Sequence, residues 1–304
     1  MGISISSFNK YLNNLWIICC SSDPAEEASE TMENSYSTDT IYPSDSDEPT
    51  SSSNESENEL LQKAIFSKDN KKRALIIGIN YFETEGELSG CINDVIHLKL
   101  FLESNLYFKP SDILEMRDDL TLQSLFYPNY FNIIKQIDLL VEWANNNKNS
   151  EIWLSYSGHG SNIYDFNGDE IDGRDEVLCT ADHKYIKDDW LKTNFINLLN
   201  KDVKVFILID ACHSGTMCDL TYDEKKNIVM MSGCRDDQTS ADAYMREEQE
   251  YRGALTYTFL KCWDNKICLK ELHETILSTM NNRFTQKSVL SYTNHSLPNF
   301  HLCL

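Results

Sequence analysis

Cys212 stands in Asp210-Ala-Cys-His-Ser-Gly-Thr216, and His159 stands in Tyr156-Ser-Gly-His-Gly160, about fifty residues upstream. A thiol attacks a carbonyl carbon effectively as its thiolate, and a nearby imidazole that takes the proton supplies that form. Taken singly, each residue could be a buried thiol or a capping imidazole at a strand end. Taken together, with glycines beside both, they read as a nucleophile and its general base. His213 is next to the nucleophile, points elsewhere on the same turn, and is read as structural.

The flanking segments say what must hold these turns. Residues 73–79, 112–116, 151–156, 203–209 and 228–231 are short apolar runs closed by polar or glycine residues, which suits strands buried on both faces. Between them, residues 91–105 carry Val95, Leu98, Phe101 and Leu102 at helical spacing. Residues 130–146, after Pro128, carry Ile133, Ile134, Ile137, Leu140 and Val141 on one face, and residues 187–199 also read as a helix. The alternation predicts an α/β domain with a mostly parallel, doubly wound central sheet and helices on both faces. In such sheets ligands collect at the carboxyl ends of the strands. The turns 157–160, 210–215 and 232–234 should therefore converge on one crevice.

Tyr156-Ser-Gly-His-Gly160 and Asp210-Ala-Cys-His-Ser-Gly-Thr216 resemble the motifs of metacaspases, which are caspase-like cysteine peptidases. The resemblance extends to Ile76-Ile-Gly-Ile-Asn80, and to Leu88-Ser-Gly-Cys-Ile-Asn-Asp94, Asp175-Glu-Val177, Asp236-Asp-Gln-Thr-Ser-Ala-Asp242 and Gly253-Ala-Leu-Thr-Tyr257. It covers roughly residues 70–304. No long insert separates Leu220 from Val229, as in metacaspases lacking a linker between their two subdomains. The resemblance implies a caspase-like three-layer sandwich and a cysteine endopeptidase with a Cys212–His159 dyad. It also implies an oxyanion hole from the backbone N–H groups of Gly160 and Cys212. Asp210 stands where caspases carry Gln, which argues against cleavage after Asp. The family's pocket for a Lys or Arg side chain carries over onto Asp94 and Asp210, with Ser157 at its wall and Cys91 nearby; protein or peptide substrates with a basic residue before the cut are implied. Calcium is the implied activator, on Asp175, Asp188, Asp189 and Asp219, and no organic cofactor is expected. Self-processing of a zymogen would fall after Lys71, Lys72 or Arg73, or after Lys225 or Lys226. The alternatives are a related caspase-fold peptidase of other specificity and a catalytically weak interaction module. Retention of both His159 and Cys212 opposes the latter.

Residues 165–176 imitate the ligand spacing of an EF-hand loop, but Glu170 occupies the position where that loop's sharp turn needs Gly. The net charge of −21 argues against a nucleic-acid partner, because phosphate binding needs Lys and Arg. Ten cysteines without a CxxC pair argue against a zinc ribbon and for a reducing, cytoplasmic setting. A monomer is expected. Residues 23–59 hold twelve acidic residues and no Lys or Arg, so residues 22–64 read as a disordered linker to a peptidase domain at 65–304. Residues 1–21 begin Met-Gly-Ile-Ser-Ile-Ser, contain an apolar run, and end with Cys19-Cys20. Gly2 is a myristoylation candidate, and Cys19 and Cys20 are palmitoylation candidates, which together would anchor the protein peripherally to a membrane.

Overall fold

The computed structural model describes residues 64–165, 168, 170, 173–235, 242–281 and 283–303. The N-terminal acylation candidates Gly2, Cys19 and Cys20, and all but the last residue of the linker expected at 22–64, lie outside these residues. Gln62–Leu304 form a compact unit.

Five parallel strands carry the architecture: β2 (Lys72–Gly78), β3 (Ile113–Arg117), β4 (Glu151–Ser157), β8 (Lys204–Asp210) and β9 (Asn227–Ser232). Their apolar runs are buried on both faces, and alternate residues serve opposite layers. Ala74, Ile76, Trp153, Phe206 and Leu208 pack with the helices α1 (Cys91–Asn105), α4 (Ala254–Cys262) and α5 (Leu269–Asn281). Ile77, Leu154, Tyr156 and Ile209 face Ile133 and Ile137 of α2 (Tyr130–Asn146) on the other side. The result is a three-layer sandwich with an aromatic centre: Trp153 lies 4.9 Å from Phe206 and 5.9 Å from Phe259, ring centre to ring centre.

Local chemistry sets the helix starts. Asn129 caps α2 through its side chain, which accepts from the Asn132 N–H at 2.9 Å. The first N–H of α1, that of Cys91, donates instead to Asn80 Oδ1 at 3.0 Å, so an amide from the loop after β2 caps the helix.

The six-stranded sheet has the order β12-β9-β8-β4-β2-β3 among the described residues. Its edge strand β12 (Val289–Tyr292) is antiparallel, and the half-polar sequence of that strand hid it from the periodicity reading. A second, antiparallel sheet joins β5 (Gly160–Tyr164), β6 (Arg174–Cys179) and β7 (Tyr185–Lys187). The EF-hand-like stretch begins directly after β5 and ends inside β6, so strands, not helices, adjoin it. Residues 187–199 are shorter in regular helix than their pattern predicts: α3 (Asp188–Leu191) passes into a π-turn at Lys192–Ile196. A hairpin of β10 (Asp242–Met245) and β11 (Glu250–Gly253) precedes α4, and β1 (Ala64–Phe66) pairs with β13 (His301–Cys303). Lys72 and Arg73 lie in β2 and not in the loop expected for them; Lys225 is exposed in a turn.

Candidate active site

The register of β4 and β8 pairs Ser157 with Asp210, the last residue of each strand. His159 and Cys212 each lie two residues past that pair, so parallel pairing alone puts them side by side at the carboxyl edge of the sheet. The two turns touch. A Cβ built on Gly160 would lie 2.0 Å from the Cys212 carbonyl oxygen, so only a glycine lets the backbones approach this closely. Cys212 is half-buried, and His213 after it takes a left-handed conformation, φ 48°. The Nδ1 of His213 lies 3.5 Å from Asn162 Nδ2.

His159 is buried, and its Nε2 lies 2.6 Å from the Gly86 carbonyl oxygen. A carbonyl only accepts, so Nε2 carries the proton and the neutral ring keeps its lone pair on Nδ1. Burial pulls the imidazole below its ordinary pKa, partly offset by the Gly86 carbonyl and by Asp242. The ring packs against Tyr81, 4.7 Å between centres, and the His159 N–H donates to the Tyr81 hydroxyl at 2.9 Å. Tyr81 is in turn fixed from below: Asp118 accepts from the N–H groups of Asn80 and Tyr81 at 2.9 and 2.6 Å. Burial raises the Asp118 pKa, opposed by these backbone bonds. Gly86, Tyr81 and Asp118 were missed in the sequence, because their roles rest on a carbonyl, a hydroxyl and a backbone turn that no motif marks.

The four residues assigned to the substrate pocket come together. Asp94 is fully buried in the first turn of α1, where its Oδ2 accepts from Ser157 Oγ at 2.7 Å. Asp94 Oδ1 accepts from Arg252 Nε at 2.9 Å, a buried ion pair that the sequence did not signal. Burial first, and then Asp210, push the Asp94 carboxyl up to about 7 against the pull of Arg252. Asp210 Oδ2 accepts from the Thr256 N–H at 2.8 Å. Cys91 is buried beside them, and burial with the surrounding carboxylates holds its thiol well above the ordinary range. Cys234, on the turn after β9, donates to the Ala211 carbonyl at 3.2 Å, and burial pushes it up to about 12.

The residues assigned to calcium also gather. Asp175, Asp188 and Asp189 can each place an oxygen within 4.8 Å of the others, and so can Glu170, Asp188 and Asp219. Among the described residues Asp175 Oδ1 is buried without a hydrogen-bond partner, while its Oδ2 accepts from Lys187 Nζ. Lys192 Nζ lies 3.5 Å from Asp219. Burial raises Asp188 to about 6, opposed by the N–H groups of Asp189 and Glu176 and augmented by Asp219. Hard oxygen donors, one of them orphaned, with ammonium groups drawn to the rim, fit a calcium ion. Glu170 was not among the residues expected there; the β5–β6 connection brings it in.

A mostly parallel sheet with a Cys and a His on adjacent strand ends defines a caspase-like cysteine peptidase. Residues 72–221 match the model of the metacaspase peptidase C14 domain, so this part of the chain is a metacaspase-type peptidase domain. It is 29% identical to Metacaspase-1B of Aspergillus fumigatus, over 73% of this chain and 69% of that protein. It is 34% identical to Metacaspase-2 of Arabidopsis thaliana, over 63% of this chain and 51% of that protein. Among solved structures it resembles the crystal structure of a Geobacter sulfurreducens protein, with a TM-score of 0.57 and 23% identity. That match covers 74% of this chain and 94% of the other, and it concerns the fold alone.

Proposed function

We propose that this cysteine peptidase is an endopeptidase that cleaves proteins after Lys or Arg, with Cys212 as nucleophile and His159 as base, and that calcium activates it. The observation that carries the reading is the His159 ring: with Nε2 committed to Gly86, Nδ1 is left to take the thiol proton at the turn that Gly160 presses against Cys212. The thiolate attacks the scissile carbonyl, and the N–H groups of Gly160 and Cys212 meet the charge that develops on its oxygen. His159 then returns the proton to the leaving amine, and water hydrolyses the acyl-enzyme.

The pocket of Asp94, Asp210, Ser157 and Cys91 supports a cationic side chain before the scissile bond, since carboxylates withdrawn from water favour ammonium and guanidinium groups. Asp175, Asp188, Asp189 and Asp219 would hold calcium, which supplies positive charge that relieves their mutual repulsion and orders the segment after Cys212. The domain would act in the cytoplasm, tethered to a membrane if its N-terminus is acylated. Fluorogenic Arg and Lys peptides, with calcium and with chelator, test the reading. Cleavage that needs calcium and vanishes in Cys212→Ala is expected; undiminished turnover in that variant would overturn it.

A further inference from the structure

The β10–β11 hairpin lies directly beside the substrate pocket. Its register pairs Asp242 with Gly253 and Tyr244 with Tyr251. A Cβ on Gly253 would lie 2.3 Å from Asp210 Oδ2 and 2.5 Å from Asp94 Oδ2, so the side-chain face at that pair is turned to the pocket carboxylates. Side chains two residues apart on a strand share a face, and two residues of strand span about 7 Å. Tyr244 and Tyr251 therefore continue the pocket face one repeat farther along the hairpin. Their rings meet edge to face with centres 5.2 Å apart, yet Tyr244 is 50% exposed and Tyr251 45%. Two aromatic rings left half in water along the same face as a binding pocket gain free energy when an apolar group covers them.

The backbone of the hairpin is open on the same stretch. The Gly253 N–H donates to Asp94 Oδ2 at 3.0 Å, and the Tyr251 carbonyl accepts from Asn93 Nδ2 at 3.0 Å, so at both pairs β11 turns its polar groups to α1 and away from β10. Both pairs are thus of the kind without mutual hydrogen bonds, in which the N–H and C=O of each strand point outward. Those of Asp242 and Tyr244 face the opposite side, where β10 has no neighbouring strand among the described residues. An extended peptide can add to such an edge through its main chain. Asp242, at the start of β10, is near enough to His159 to act on its charge, whereas the far end of the strand is the exposed turn 246–249, so the edge leads outward from the reacting groups. The leaving amine must face His159, which gives the chain after the cut to that side and the chain before it to the hairpin.

We propose that the Tyr244–Tyr251 pair is a substrate subsite: a specificity-determining platform for an apolar or aromatic side chain two or four residues before the substrate's basic residue, delivered there by pairing of the substrate main chain with the free edge of β10. The proposal rests on the reading of the protein as a peptidase that cuts after basic residues. With that residue between Asp94 and Asp210, period-two alternation turns the side chains two and four positions upstream to the same face, and the intervening ones away from it.

The test uses the full-length protein with calcium and fluorogenic amides of two lengths. Acetyl-arginine is too short to reach the tyrosines; six-residue peptides ending in arginine carry Phe or Ser in turn at each upstream position. Phe two or four residues before the arginine should raise kcat/KM about tenfold over Ser, mostly through KM, and Phe at the intervening positions should not. Tyr244→Ala and Tyr251→Ala should each lower that Phe-to-Ser ratio several-fold, and Tyr244→Phe and Tyr251→Phe, which keep the rings, should preserve it. Where an alanine variant fails to fold, Tyr244→Thr and Tyr251→Thr remove the ring but keep strand propensity, and the same fall in the ratio is expected. A wild type indifferent to Phe at every upstream position would overturn the subsite, as would an unchanged ratio in the variants lacking the rings. Equal losses on the short and long substrates would also overturn it, by making the pair a prop of the hairpin alone. Wild-type protein that cleaves acetyl-arginine amide no better than its neutral citrulline counterpart would instead refute the basic-specificity reading beneath it.

Discussion

Gly160→Ala probes the contact that joins the His159 and Cys212 turns. The added Cβ would sit 2.0 Å from the Cys212 carbonyl oxygen, against about 3.4 Å for ordinary contact, so the two backbones must part by about 1.4 Å. Neither side yields readily, because Gly160 begins β5, paired with Leu178, and Cys212 follows directly on the buried end of β8. Misplacing reacting groups by about 1 Å costs on the order of 100-fold in rate. Overpacking of this kind costs about 1–3 kcal/mol of stability. For a domain of this size each kcal/mol lowers Tm by roughly 2–4 °C, so a fall of about 2–12 °C is expected. Peptide hydrolysis and a thermal melt on the same preparations separate the two effects: kcat/KM should drop at least about 100-fold at temperatures where the variant is fully folded. Wild-type kcat/KM in folded Gly160→Ala would show that the close approach of the turns is irrelevant to catalysis, and would refute the reasoning.

Because burial depresses the His159 pKa, the acid limb of kcat/KM should have its midpoint below the ordinary imidazole value of about 6.5; a midpoint above it, in a pH–rate profile, contradicts the environment described for the ring. Asp94 is raised to about 7 in the fold, so the folded state holds its proton where the unfolded chain has lost it. The stability this contributes is complete below about pH 4 and is lost as pH rises through about 7. Urea unfolding at pH 5 and pH 8 should show that loss in wild type and not in Asp94→Asn; equal pH dependence in the two would refute it. Asp219→Ala should raise the calcium concentration needed for half-maximal activity at least tenfold while leaving the calcium-free rate alone, checked by titration of activity. The first thirty residues fused to a fluorescent protein should reach membranes, and Gly2→Ala or Cys19/Cys20→Ser should release them; a diffuse signal from the unmutated fusion rules the anchor out.

The sequence by itself determined the parallel core and the two turns at its edge. Short runs such as 151–157 and 204–210 are buried on both faces, so their apolar continuity is written in the chain, and helices α1 and α2 begin and end at the residues their periodicity indicates. A motif at each strand end was enough to single out His159 and Cys212, because parallel strands deliver both to the same edge. Only the tertiary structure decided what those residues meet. The Gly86 carbonyl that fixes the His159 tautomer, the Arg252 that claims Asp94, and the pairing that sets Asp242 opposite Gly253 all join segments distant in the chain. Such contacts use backbone groups and single charged side chains, which carry no periodicity. The small antiparallel sheet and the edge strand β12 escaped for a related reason: their half-exposed residues are selected by neighbours in space, and hydrophobic alternation along the chain does not record which neighbours those are.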